Sequence, residues 1–215
     1  MSSGVLVIAE SGQGKSASLR NLDPEKTLLV QAIEKRLPFP NAQHWQKFNE
    51  ETKKGNVFVT DNAATIEQLM VNTKRKIIVL DDFQYVMANE FMRRSDEKGY
   101  DKFTEIGRHA WNILMKANQL APDVRVYILA HADESDSGRT RMKTIGKMLN
   151  EKITVEGLFT IVLRAVVRDG EYLFQTHNSG NDTVKTPMGM FKEDLIDNDL
   201  AAVDRRICEY WGITP

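Results

Sequence analysis

The sequence predicts an α/β fold in three layers, a mostly parallel sheet between helices with an antiparallel hairpin extension near the C-terminal end. Three observations predict it. Short β-branched runs at 5–9, 76–82 and 125–131 are apolar on both faces, as strands buried inside a parallel sheet are. Segments with apolar residues at three- and four-residue steps alternate with them. Two further apolar runs flank the turn Asp169-Gly170, the signature of a hairpin.

Taken in order, the run 5–9 ends in a glycine-bearing turn, and 15–22 reads as a short helix broken by Asp23-Pro24. Residues 27–31 form a second strand, followed by a proline-punctuated loop, "KRLPFPN". "NVFVTDN" predicts a further short strand and 63–73 an amphipathic helix, before the clearest strand at 76–82. A charged stretch, "MRRSDEKGYD", precedes a long helix carrying Phe103, Ile106, Ala110, Ile113 or Leu114, Ala117 and Leu120, ended by Pro122. The strand 125–131 leads into a polar loop, "ADESDSGRTRMKT", then the two hairpin strands of "FTIVLRAVVRDGEYLFQTHN" and a helix over about 199–211. There is no internal repeat, low-complexity tract or linker, so a single domain over 1–215 is expected.

The charge balance, a net −1 over 215 residues, argues against a chain wholly devoted to nucleic acid but does not exclude a local basic patch. One cysteine, Cys208, permits neither an internal disulfide nor a cysteine-cluster metal site, which fits a reducing cytoplasm. The apolar runs are too short for a signal-peptide core or a membrane span. A soluble, cytoplasmic protein without a membrane role is the expectation.

The stretch "AESGQGKS" follows the G-x-x-x-x-G-K-[ST] phosphate-loop pattern except that Ala9 stands at its first glycine. Ser11, Gly12, Gln13, Gly14, Lys15, Ser16 and Ala17 are the candidate nucleotide-binding residues. Gly12 and Gly14 let the backbone curl so that successive N–H groups face one anion, and a following helix adds its positive end. Lys15 would reach the β- and γ-phosphates and the Ser16 hydroxyl would hold magnesium. The first position only ends the strand, so a small residue with negative φ suffices there. A glycine-rich turn with a surface lysine is the plainer alternative, and the strand before and helix after argue against it.

"KIIVLDDF" runs an apolar strand into Asp81, which would emerge where phosphate-loop ligands bind and hold magnesium there. Two carboxylates compete to orient the attacking water: Asp82, next to the metal residue, and Glu34, after the second strand. His131, ending the strand "VYILAH", would sense the γ-phosphate, or else is a histidine satisfied at a strand end. His44, His109 and His177 have no metal-ligand spacing.

The segments "AESGQGKS", "IIVLDDFQYVMANEFMRR", "GYDKFTEIG", "VYILAHADE", "KTIGKML" and "FQTHNSGNDTVKTPMGMF" together resemble the AAA-type, RecA-like P-loop ATPases encoded by bacteriophages. The likeness runs from Val5 to the final helix. It implies a RecA-like P-loop core binding ATP and Mg2+, among relatives that include phage single-strand-annealing and recombination-mediator proteins. Lys15 and Ser16 carry over to the nucleotide, Asp81 to magnesium and His131 to the sensor position. Where many such ATPases have a glutamate after the metal aspartate, this chain has Asp82, which leaves its hydrolysis rate open.

After His131, Arg139, Arg141, Lys143, Lys147 and Lys152 cluster behind acidic residues. In RecA-like folds a loop here faces DNA, so these residues are candidates for single-stranded DNA contacts or for a trans-acting finger on a neighbour's γ-phosphate; a solvated charged loop is the plain alternative. The resemblance implies a homo-oligomer and phage recombination or replication proteins as partners. "ANEFMRRSDEKGYDKF" is a second mobile candidate, with Arg93 and Arg94 beside Tyr100 and Phe103. The competing readings are a nucleotide-switched adaptor without turnover and a small P-loop kinase, which would need an arginine-rich lid.

Overall fold

The computed structural model describes residues 1–135 and 138–214. Strand β1 (Ser3–Ala9) leads through the glycine loop into a 3-10 turn (Ser16–Asn21), β2 (Thr27–Gln31) and β3 (Val57–Val59). Helix α1 (Ala63–Asn72), β4 (Ile77–Asp81), α2 (Gln84–Arg93), α3 (Asp101–Lys116) and β5 (Arg125–Glu134) follow. The chain continues through β6 (Thr140–Met142), a π turn (Met148–Lys152), a 3-10 turn (Val155–Leu158), β7 (Ile161–Arg168), β8 (Glu171–Gln175), β9 (Leu195–Asp197) and α4 (Leu200–Trp211).

The strands lie in the order β3-β2-β4-β5-β1-β7-β8-β9, with β6 paired to the far end of β5. The six from β3 to β7 are mutually parallel; β8 and β9 add on antiparallel. Alternation along each strand divides the core. Leu6, Ile8, Ile78, Leu80, Val126 and Ile128 face α1, α2 and α3. Val5, Val7, Val79, Leu129, Leu163 and Phe174 face α4 and the turn after the loop, through Leu19, Leu200, Val203 and Ile207. The expected three layers and antiparallel extension are what the chain forms.

Side chains set several boundaries. Asn62 caps α1 by accepting from Thr65 N at 3.0 Å, and Asp199 caps α4 by accepting from Ala201 N at 2.8 Å. Buried Arg125 on β5 forms a two-pronged ion pair with Asp204 of α4, at 2.9 and 2.8 Å, and the Tyr127 hydroxyl donates to the same carboxylate at 2.6 Å. That pair fastens α4 to the sheet.

Five local expectations change. The segment after the glycine loop is a 3-10 turn, because fewer than two α-turns fit before Asp23-Pro24 and Ser18 Oγ takes the Lys15 carbonyl. Residues 84–93, read in part as a mobile stretch, form α2, whose Val86 and Met87 enter the core. Helix α3 stops at Lys116, short of Leu120. Asn118 turns out of it to accept from Gly4 N at 3.2 Å and donate to Leu158 O at 3.0 Å, across a backbone that only glycine leaves open. The polar segment after His131 is partly strand: Ala132 to Glu134 pair with Met142 to Thr140. A third antiparallel strand, β9, escaped the sequence reading because its three residues carry no periodicity. Among the described residues no helix is long and apolar enough to cross a membrane.

Candidate active site

The glycine loop, Asp81, Asp82 and His131 meet at the C-terminal ends of β1, β4 and β5, with β5 lying between the other two. Ala9 remains inside β1, fully buried and opposite His131, so its position asks for no left-handed backbone. Gly12 and Gly14 do adopt it, with φ of +82° and +87°. Gly14 is also hemmed in: a Cβ there would come within 2.7 Å of the Tyr172 ring. Gln13 closes the turn, its side-chain oxygen accepting from Glu10 N at 3.1 Å. Ser11 is exposed, and Ala17 lies in the 3-10 turn beyond. That turn is too short to add a substantial dipole, so any anion in the loop is held by local N–H groups and Lys15.

Lys15 is 6 % exposed yet makes no ion pair within 4.0 Å among the described residues. Burial lowers its proton affinity, and the charges of Asp82 and Asp81 resist that fall. The ammonium is therefore held near carboxylates without being tied to one. The Ser16 hydroxyl donates to both Asp81 oxygens, at 2.9 and 3.1 Å.

Asp81 is 3 % exposed, and burial, then the neighbouring Asp82 charge, push its carboxyl up to about 6 against the Ser16 hydrogen bond and Lys15. Asp82 goes the other way. Burial raises it, but the hydrogen bond from His131 and the Lys35 ammonium outweigh this and hold it at about 2. Lys35 pairs with Asp82, and its Nζ lies 5.4 Å from the centre of the Tyr85 ring. His131 Nε2 lies 3.5 Å from the second Asp82 oxygen. Asp82 has φ of +56°, a left-handed conformation that aspartate tolerates better than most residues.

Magnesium is the metal the sequence implies, and the donors suit it: a hydroxyl and a carboxylate side by side, both oxygens. Among the described residues no group of three or more His, Cys, Asp or Glu gathers to hold a metal, so such a cation would complete its shell with phosphate oxygens and water. Because the folded-state value of Asp81 lies above its unfolded value of 3.8, ionising it costs stability fully above pH 6 and not below about pH 4. A cation on Asp81 must displace the proton. Magnesium-dependent nucleotide affinity is therefore expected to fall up to about tenfold per pH unit below pH 6 and to level off above it. Titrations of a fluorescent nucleotide from pH 5 to 8 check this, and Asp81→Asn should flatten the profile.

Of the residues expected at the site, Glu34 is the one the fold leaves outside. Its carboxylate is 63 % exposed and pairs with Lys47 at 3.0 Å. Lys35, its neighbour, went unread; only the β2–β4 register that sets Gln31 beside Asp81 could have pointed to it. Two other residues were missed. Gln84 accepts from His131 N at 3.2 Å, and Arg164, paired with Ile8 in β7, comes within 4.0 Å of Glu10.

The His131 carbonyl accepts from Lys143 N at 2.8 Å, joining the cluster to the basic segment. Arg139, Lys143, Lys147 and Lys152 are exposed, whereas Arg141 is half-buried and donates to the Asn150 carbonyl at 2.7 Å. A cleft of about 290 Å³, lined by Glu10, Ser11, Tyr85, His131 and Lys143, opens between this segment and the glycine loop.

No protein-family model matches the chain, and no curated protein does. Among solved structures it is similar to the genome packaging NTPase B204 from Sulfolobus turreted icosahedral virus 2, solved in complex with ATP-gammaS. That alignment has 11 % identity and a TM-score of 0.39, and covers 78 % of this chain and 76 % of that one. It is also similar to a DnaB-like replicative helicase whose structure addresses its interactions with primase, at 14 % identity and a TM-score of 0.41. Here 78 % of this chain and 48 % of that one are covered. Likenesses this distant carry no argument about what the chain binds.

Proposed function

We propose that residues 1–215 form one RecA-like nucleotide-binding unit, an ATPase that takes ATP with Mg2+. Its binding or hydrolysis is coupled to single-stranded DNA or to assembly of a homo-oligomer, in phage DNA recombination or replication. The observation that carries the nucleotide reading is the Ser16 hydroxyl on the buried Asp81 carboxylate at 2.9 Å, beside a buried Lys15 that forms no ion pair among the described residues. A hydroxyl, a carboxylate and a lysine converging on a loop with two left-handed glycines are the donors a triphosphate and its cation require.

Lys15 neutralises the outer phosphates, and the loop N–H groups orient them. Ser16 and Asp81 would hold the magnesium ion, which would supply charge neutralisation to the phosphates. Asp82 accepts a hydrogen bond from the attacking water and directs it. Held at about 2, it aligns the water far better than it removes a proton. His131 contacts Asp82 through its ring and Lys143 through its carbonyl, so the state of the γ-phosphate reaches the β5–β6 hairpin. There Arg139, Lys143 and Lys147 meet DNA phosphates or a neighbouring subunit's nucleotide, while Arg141 braces the segment.

The Lys35–Asp82 ion pair favours a second reading, an adaptor switched by bound nucleotide without turnover, because it occupies the carboxylate that would act on water. Steady-state ATP hydrolysis with magnesium, with and without single-stranded DNA, separates the two. The ATPase reading expects DNA-stimulated turnover that Lys15→Ala abolishes. ATP binding with no turnover under any DNA condition would leave the adaptor.

A further inference from the structure

The metal-side groups of the site come from β4 and β5, on one side of β1; on its other side lie β7, β8 and β9. A triphosphate with its outer phosphates at Ser16 and Asp81, and its nucleoside on the opposite side of the glycine loop, would lie against those strands. Two residues of the antiparallel extension stand there against Gly14. A Cβ on Gly14 would lie 2.7 Å from the Tyr172 ring and 3.3 and 3.4 Å from the amide oxygen and nitrogen of Asn198.

Among the described residues neither side chain has a hydrogen-bond or ring partner. Tyr172, on β8, is 52 % exposed, and among the described residues its ring and hydroxyl have no partner. Such an aromatic face beside a phosphate loop is a stacking platform for a base. Asn198 is the reverse case. It is 1 % exposed, yet both atoms of its side-chain amide are buried without a hydrogen bond. Its backbone is fixed on both sides, N donating to Tyr172 O at 3.2 Å and O accepting from Arg20. A buried amide kept in place without partners costs stability, which makes sense where the partner arrives with a ligand.

We propose that Tyr172 forms the nucleoside end of the site and that Asn198 secures the phosphate loop beside it. The Tyr172 ring stacks on the nucleobase. Asn198 is a positioning residue that hydrogen-bonds the loop backbone once phosphates draw Gly14 and Lys15 into place. The proposal rests on the nucleotide reading of the loop, and it makes the C-terminal extension part of the ligand site rather than a structural edge.

The test compares ATP with inorganic tripolyphosphate, which has the phosphates and no base, by calorimetry in magnesium. Tyr172→Ala is expected to weaken ATP roughly ten- to hundredfold and to leave tripolyphosphate unchanged, with Tyr172→Trp retaining ATP affinity. Asn198→Leu, which keeps the branched skeleton with apolar atoms, is expected to keep or raise the melting temperature of the free protein while shrinking the rise given by either ligand. Equal weakening of both ligands by Tyr172→Ala, or of neither, overturns the stacking role. A lower free melting temperature with an undiminished ligand-induced rise overturns the Asn198 role. Should the unmutated protein bind neither ligand, the nucleotide reading itself falls.

Discussion

Asp82→Asn is expected to leave ATP bound and to lower its hydrolysis by at least roughly a hundredfold, the usual loss when a group acting on the nucleophile is removed. Asparagine is the most suitable probe because it keeps the size of the side chain and accepts the left-handed backbone, φ +56°, that most residues resist. The change removes the charge that His131 and Lys35 share. Lys35 is half exposed, so water takes over its solvation and the fold loses little. Phosphate release and nucleotide affinity, measured side by side, decide the matter. Loss of affinity equal to the loss of rate would make Asp82 a structural support for the loop. An unchanged rate would move the water-directing role elsewhere. Glu34→Gln serves as the contrast, with no effect expected from an exposed carboxylate paired to Lys47.

The second large effect concerns stability. Asp204→Ala strands the Arg125 guanidinium, 1 % exposed, without its carboxylate and also takes the acceptor from the Tyr127 hydroxyl. Breaking a buried pair from one side costs about 3–5 kcal/mol. In a chain of this size that lowers the melting temperature by on the order of 10 °C. Replacing both partners, Arg125→Met with Asp204→Leu, is expected to recover most of the loss, because neither charge is then left in the core. Calorimetric melting of the single and double variants checks both. A loss below about 1 kcal/mol for Asp204→Ala, the range of an exposed pair, would show that α4 is held by Leu200, Val203 and Ile207 alone.

These two residues differ in how far the sequence announced them. Asp82 was legible because an apolar run ending in two aspartates is a local pattern, and the pattern already singles out a strand end facing ligand. Asp204 was not. It sits on a helix face like many solvated acids, and only the docking of α4 on β5 puts Arg125 beside it.

The same division runs through the molecule. The strands at β1, β2, β4, β5, β7 and β8, the turn at Asp169-Gly170, the glycine loop and the terminal helix were all readable. Side-chain periodicity, turn residues and caps act over a few residues, and the chain carries that information directly. The placement of β5 between β1 and β4 was not, since strand order depends on contacts between residues more than a hundred positions apart, as Ala9 and His131 are. From that order, with β2 beside β4, follow the His131–Asp82–Lys35 cluster and the link from His131 to Lys143. The closing of β8 and β9 against Gly14 was equally hidden, for neither Tyr172 nor Asn198 belongs to any local motif. The sequence by itself determined the glycine loop and the strand that runs into Asp81 and Asp82. The tertiary structure decided which other side chains stand beside them, because burial and register, not neighbourhood along the chain, bring those groups together.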